Sequence, residues 1–299
     1  VERRQSGLES GGRLSLVSAP AGFGKTTLVS EWLAEATRRD PEVRVAWLSL
    51  DENDNEPARF FTYLFAALQR AGVGVGDFDP QQPLEETLAT LINQIAEGSG
   101  RVILVLDDFH LIEDAAIGDA LAFLIDNVPP QLRLTLASRS DPLLPLARLR
   151  TRGELTELRA ADLRFTPEEA ASFLNQAMGL TLSPDDVTAL ETRTEGWIAG
   201  LQLAALSMRE QSDIPAFIAD FAGSNRFVID YLIEEVLHRA SHDVREFLCQ
   251  TSILDRLSGP LCDAVTGQKG GAEMLEALDR ANLFVVPLDD RRQWYRYHH

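Results

Sequence analysis

Lysine is almost missing from this chain of 299 residues: Lys25 and Lys269 stand alone beside a large set of arginines, 28 basic residues in all. Arginine is the default cation here. A lysine therefore marks a place where a compact point charge is needed and a planar fork will not serve. Basic charge as a whole is also scarce, since 46 Asp and Glu against 28 Lys and Arg leave a net charge of −18. The arginines are scattered and form no basic stripe, so direct binding to nucleic acid phosphates is disfavoured. Long apolar runs are lacking: the 102–106 stretch falls far short of the roughly 18 residues that a membrane helix needs. Val1-Glu2-Arg3-Arg4 lead into polar sequence without the apolar core of a signal peptide. Cysteine is limited to Cys249 and Cys262, both in helix-like apolar contexts. They read as reduced core thiols, with a disulfide as the alternative, and the expected compartment is the cytoplasm. There is no internal repeat and no low-complexity tract. The chain starts without Met and stops on His298-His299 inside a strand-like run, so the expectation is a piece of a longer protein.

What is present is an ordinary globular mixture, 45% hydrophobic and 25% charged, with enough chain for two or three domains. The first half alternates. Apolar runs at 14–18, 43–50, 101–106, 132–137 and 155–158 read as strands, and stretches at 25–36, 58–68, 85–96, 115–127 and 143–150 as helices. The 101–106 run is almost purely Leu and β-branched, as in a strand buried on both faces. Strands alternating with helices imply a parallel α/β sheet. After about residue 163 the strand signal stops. Thr166-Pro167-Glu168-Glu169 supplies an N-cap, a proline at the first helical position and a capping-box glutamate, and Ser183-Pro184-Asp185-Asp186 repeats the pattern. Helices are expected over 167–178, 184–193, 197–209, 214–221, 225–239, 243–251, 260–266 and 272–281. Strands 283–288 and 293–298 then flank an Asp289-Asp290-Arg291-Arg292 turn, which gives a winged-helix pattern. The expected domains are 1–163, α/β and nucleotide-binding; 164–240, all-helical; and 241–299, winged-helix.

Ala19-Pro20-Ala21-Gly22-Phe23-Gly24-Lys25-Thr26-Thr27 follows a strand and opens a helix, the setting that a P-loop requires. Gly22 and Gly24 let successive amides of Ala21–Gly24 point inward around phosphate oxygens, and the helix N-terminus adds partial positive charge. Lys25 would bridge the β- and γ-phosphates and is expected to be solvated without nucleotide. Thr26 would bind Mg²⁺ and Thr27 would sit beside the α-phosphate. The general motif has Gly where Ala19 stands, and a plain strand-to-helix turn is the alternative reading. About 80 residues later, and one strand over, Val102–Asp107 ends in Asp107-Asp108. As a Walker B motif, Asp107 would hold the Mg²⁺ shell and Asp108 would polarise the attacking water. Arg139, at the end of the 132–137 strand, would reach the γ-phosphate from the far side, or else pair locally with Asp141.

These motifs, in this order, resemble the STAND class of P-loop NTPases. More narrowly, the chain is similar to the nucleotide-binding module of the MalT family of large ATP-dependent LuxR-type transcription activators. The similarity runs along nearly the whole chain. It includes Ser18–Leu28, Trp47-Leu48-Ser49-Leu50-Asp51, Asp54-Asn55, Asp107–Ile112 and Ser138–Pro142, then Glu195-Gly196-Trp197, Leu201-Gln202-Leu203, Asp230-Tyr231-Leu232 and Tyr295–His299. Ala19 belongs to this family's P-loop pattern. The resemblance implies an AAA+/STAND-like fold and a cytoplasmic switch, closed with ADP and opened by ATP and inducer so that the module self-associates. Sensor and helix-turn-helix parts, which contact inducer and DNA in longer members, are not in this sequence. The adenine-contacting segment before the first strand looks truncated. By the same resemblance His298, in Tyr297-His298-His299, would donate to the β-phosphate of ADP, and Trp197 would lie over the base; on its own sequence Trp197 reads as core.

Two other classes compete. The 273–280 helix of a DNA-binding winged helix should be basic, but it carries Glu273, Glu276 and Asp279 against Arg280. A stand-alone ATPase or kinase would want a substrate pocket on the α/β domain, whereas nearly half of this chain is helical. His110 could partner the Walker B acids or pack at the strand end, and the His238/His242 spacing is a weak zinc signal.

Overall fold

The computed structural model describes residues 12–208, 213–221, 226–237, 240–283, 285–289 and 291–297. Five strands, β1 (Leu14–Ser18), β2 (Arg44–Ser49), β3 (Val102–Asp107), β4 (Leu132–Ser138) and β5 (Leu155–Arg159), form one sheet in the order β2-β3-β4-β1-β5. Every pairing in it is parallel. The helices that return the chain are α1 (Lys25–Arg39), α2 (Pro57–Arg70), α3 (Leu84–Glu97), α4 (Ala115–Asp126) and α5 (Leu146–Thr151). Strand β3 is buried along its whole length, as its uninterrupted apolar run requires. Leu14 and Leu16, Leu104 and Leu106, and Leu134 and Leu136 are all 0–1% exposed and pack with Phe60, Phe61 and Leu64 of α2. Helix α2 starts where Glu56 accepts from the amides of Ala58 and Arg59 and Pro57 takes the first turn.

The strand order corrects one expectation. β3 is not the neighbour of β1, because β4 pairs with both, Leu14 opposite Leu134 and Val102 opposite Leu132. The residue after β4, Arg139, therefore emerges at the carboxyl edge between the ends of β1 and β3. In parallel α/β sheets that edge is where ligands bind.

The chain separates into two compact units: residues up to Ala19 together with Lys25–Leu163, and Pro20–Gly24 together with Arg164–His299. The second unit is helical, with α6 (Pro167–Ser172), α7 (Pro184–Thr194), α8 (Ile198–Met208), α9 (Ile214–Asp220), α10 (Arg226–Leu232), α11 (His242–Thr251), α12 (Gly259–Thr266) and α13 (Gly271–Arg280). Both expected capping boxes form, Thr166 with Glu169 and Ser183 with Asp186. Two expected helices change pitch instead of continuing: 173–177 and 233–237 are π-helical. The unit holds two apolar cores. One is built around Leu174, Leu190, Leu201 and Ala204; the other, around Leu257, Cys262, Leu275 and Tyr295, lies beneath an antiparallel hairpin of β6 (Val285–Pro287) and β7 (Tyr295–Tyr297). Cys262 and Cys249 are both free, but Cys249 is exposed and so is not a core thiol.

The edge strand β5 is tied down by charge. Arg150 grips the Glu157 carboxylate with two bonds of 2.7 and 2.8 Å, and Arg159 also donates to it. The Arg150 bonds first, then those of Arg159, pull the Glu157 carboxyl down to about 2. A depressed carboxyl stabilises the fold above its unfolded value, and that contribution fades as pH falls from about 4.5 towards 2. Glu157→Gln is thus expected to cost about 1–2 kcal/mol at pH 7, discounted for the partly exposed arginines, and much less at pH 3. Urea melts at the two pH values check this; an equal cost at both would remove the ion pair as the cause.

Candidate nucleotide site

The strand–loop–helix turn after β1 places Ala19 and Lys25 at its two ends. Gly22 and Gly24 have φ of +75° and +73°, a region that L side chains rarely adopt. Lys25 Nζ donates to the Ala19 carbonyl at 2.8 Å. Contrary to expectation, this lysine is not solvated: it is 8% exposed, and burial, with the nearby charge of Arg139 second, lowers its pKa to about 8. The charges of Asp108 and Asp107 act in the opposite sense and raise it.

Across the sheet edge, Asp107 is 3% exposed and its carboxylate accepts from Thr26 Oγ1 at 3.3 Å and from the Asp108 amide at 3.0 Å. Burial is the largest influence on Asp107 and raises its carboxyl above the usual range, which makes it a group that gains from a cation. Asp108 itself sits in the left-handed region, φ 56° and ψ 36°, so its side chain turns away from the strand direction. His110 Nδ1 lies 3.8 Å from Asp108 Oδ1. Thr27 is exposed, while Phe23 is buried at 3%. Asp141, the local partner considered for Arg139, pairs with Arg159 and accepts from Ser18 Oγ at 3.4 Å. Lys25, Thr26, Asp107, Asp108 and Arg139 are thus brought together. His298 and residues 1–11 lie outside the described residues, as does His238. Among the described residues no group of three or more His, Cys, Asp or Glu could hold a metal by itself.

Within the second unit, Pro20–Gly24 packs against the start of α8. Trp197 Nε1 donates to the Ala21 carbonyl at 3.0 Å and the Ala199 amide to the Gly22 carbonyl at 3.0 Å. Trp197 is only partly buried and stacks at a tilt on Tyr231, with ring centroids 5.6 Å apart. The residue before this turn, Glu195, carries an arrangement that sequence reasoning did not single out. Arg296 of β7 grips it with bonds of 2.6 and 2.9 Å, and Arg164 adds a contact of 3.0 Å. Glu195 closes α7 in the left-handed conformation, φ 50°, an unusual choice for glutamate. Its only signal in the sequence was its place in Glu195-Gly196-Trp197.

Residues 8–139 match the AAA domain family and residues 233–299 the MalT winged helix domain family. Curated relatives extend the likeness along the chain. The HTH-type transcriptional regulator MalT of Yersinia enterocolitica is 37% identical over 295 residues, 96% of this chain and 32% of its own length. The chain is a P-loop NTPase module of the MalT-like type. The serine/threonine-protein kinase PknK of Mycobacterium tuberculosis contains a similar stretch, 38% identical over 97% of this MalT-like module and 27% of PknK. The module thus spans about a third or less of the curated relatives it matches. Solved structures share the fold at low identity. The Walker-type ATPase paby2304 of Pyrococcus abyssi superposes with a TM-score of 0.68 at 15% identity, over 99% of this chain and 92% of that one. The STAND protein PH0952 of Pyrococcus horikoshii, with a tetratricopeptide repeat sensor, gives 0.50 at 17%, over 100% and 40%. No helix among the described residues is long and apolar enough to cross a membrane.

Proposed function

We propose that this module is an ATP/ADP-operated switch with slow ATP hydrolysis, the regulatory part of a cytoplasmic LuxR-type, MalT-like transcription activator. The observation that carries the reading is the division of the P-loop. Pro20–Gly24 packs as part of the second unit, while the residues on either side of it, Ala19 and Lys25, belong to the first. Within that unit the Trp197 indole and the Ala199 amide hold the carbonyls of Ala21 and Gly22, so the shape of the loop depends on the helical residues it packs against, which is what a switch needs and a plain ATPase does not. In this reading 1–163 is the nucleotide-binding domain, 164–240 the helical domain and 241–299 the winged-helix domain. His298 contributes to ADP binding, the ATP form self-associates, and inducer and DNA are contacted by other parts of the host protein. Direct DNA binding by α13 is disfavoured by Glu273, Glu276 and Asp279 on that helix.

The donor set suits magnesium. Thr26 hydroxyl and Asp107 carboxylate are hard oxygen ligands, and the desolvated Asp107 gains from a cation. Bound there with nucleotide, Mg²⁺ would neutralise phosphate charge. Lys25 and Arg139 would hold phosphate oxygens, and Asp108 would orient and polarise water. The test is the nucleotide carried by freshly purified protein, extracted and resolved by ion exchange. ADP is expected, with ATP turnover well below about 1 s⁻¹ and a shift to larger species on gel filtration with ATP. Failure to bind either nucleotide would overturn the reading.

A further inference from the structure

We infer that Trp197 is a positioning residue for the phosphate loop, acting through its indole N–H and not by stacking on the base. A trans peptide is planar, and its C=O and N–H point in opposite directions. Holding the carbonyl of one residue therefore aims the amide of the next. Trp197 Nε1 holds the Ala21 carbonyl at 3.0 Å, which aims the Gly22 amide away from the indole. The Ala199 amide holds the Gly22 carbonyl at 3.0 Å, which aims the Phe23 amide in the same manner. These are the amides that a P-loop turns onto phosphate oxygens. The Ala19 carbonyl accepts from Lys25, and the residue after it is Pro20, which has no amide to aim. The anchors thus fall where an amide follows them, and the lysine rests where none does.

Close packing makes the anchor specific. A Cβ added at Gly22 would lie 2.5 Å from Ala199 Cβ, 2.8 Å from Trp197 Nε1 and 2.9 Å from the Tyr231 hydroxyl, so the loop lies against this corner with no room for a side chain. The turn that presents Trp197 is itself fixed, by the Glu195 carboxylate between Arg296 and Arg164 and by the Phe165 amide donating to the Gly196 carbonyl at 2.9 Å. The indole N–H is therefore a preorganised donor and its ring need not reach the nucleotide.

The inference rests on the proposed nucleotide binding, and the experiment separates the two. Trp197→Phe keeps a ring against Tyr231 and removes the N–H. Affinities for ADP, ATP, GTP and inorganic tripolyphosphate are measured for parent and variant by titration calorimetry, with melting curves without ligand to confirm the fold. The expected result is a loss of about 5- to 10-fold, shared by all four ligands, with the ATP-to-GTP preference unchanged. A loss confined to nucleosides and absent for tripolyphosphate would assign the residue to base stacking and overturn the inference, as would no loss at all. A parent chain that binds none of the four would instead sink the nucleotide-binding reading. The parent protein offers a measurement free of any variant. Indole N–H exchange followed by NMR should show the Trp197 proton protected before ligand is added; free exchange there would also overturn the inference.

Discussion

Lys25→Ala will lose ADP and ATP by about 100-fold or more while the ligand-free chain melts no earlier than the parent. Charge-assisted contacts to phosphate are worth about 1.5–3 kcal/mol each, and an ammonium with three donors can make more than one to the phosphate oxygens of either nucleotide. The absence of a stability cost follows from the burial of the ammonium. Lys25 is 8% exposed, and burial, followed by the Arg139 charge, brings it to about 8 from 10.5. A lysine whose folded pKa is lowered binds fewer protons in the folded chain than in the unfolded one between these two values. Stability of the parent should then rise as pH increases from about 8 to 10.5, and the variant should lack that rise. Below pH 8 the buried cation is a burden that alanine removes, offset in part by the loss of the donor to the Ala19 carbonyl. Calorimetric titration with ADP and melting curves at pH 7 and pH 9.5 check both halves. Unchanged ADP affinity would remove Lys25 from the phosphate site.

The parts of this molecule that were legible from sequence are those specified locally. The P-loop could be read because a strand, two glycines and a rare lysine lie within the twelve residues Leu14–Lys25, and the capping boxes at Thr166 and Ser183 because each closes over three residues. Strand β3 could be read from composition alone, since only full burial tolerates Val102–Leu106. What the sequence hid is long-range. Nothing in a linear order tells that β4 is inserted between β1 and β3, because the crossover that puts it there leaves each strand's own pattern unchanged. The π-helical stretches at 173–177 and 233–237 escaped because one widened turn shifts the apolar period too little to be seen in so short a window. The Trp197–Ala21 bond joins residues 176 apart and the Arg296–Glu195 pair residues 101 apart. The hydrogen-bond partners of a half-buried indole or carboxylate are set by tertiary packing, so Trp197 reads equally well as core. The burial of Lys25 was missed for the same reason: a P-loop lysine looks solvated until the Ala19 carbonyl and Arg139 are placed around it.

The two acids that end β3 should separate when each is converted to its amide, because the fold gives them different surroundings. Asp108 is partly exposed in the left-handed region, and its carboxylate lies 3.8 Å from His110. Asparagine adopts that backbone readily, so Asp108→Asn changes charge without disturbing the chain. It should leave ATP affinity within about 3-fold and slow hydrolysis by about 100- to 1,000-fold, the range for loss of a group that handles a proton or polarises water. Asp107 faces the other way. It is 3% exposed, hydrogen-bonded to Thr26 at 3.3 Å, and burial already raises its carboxyl above the usual range. Asp107→Asn keeps an acceptor for Thr26 but removes the charge that would hold the metal. The Mg²⁺ concentration needed for half-maximal ATP binding should rise about 10-fold or more, and the ligand-free chain should be no less stable, because a buried carboxylate that gains no cation is costly. Single-turnover hydrolysis and magnesium titration of ATP binding separate the roles. If both variants hydrolyse at the parent rate, the acids of β3 do not serve the reaction. If the magnesium requirement moves with Asp108 and the rate with Asp107, the assignment is reversed, and the exposed left-handed carboxylate, not the buried one, is the metal ligand.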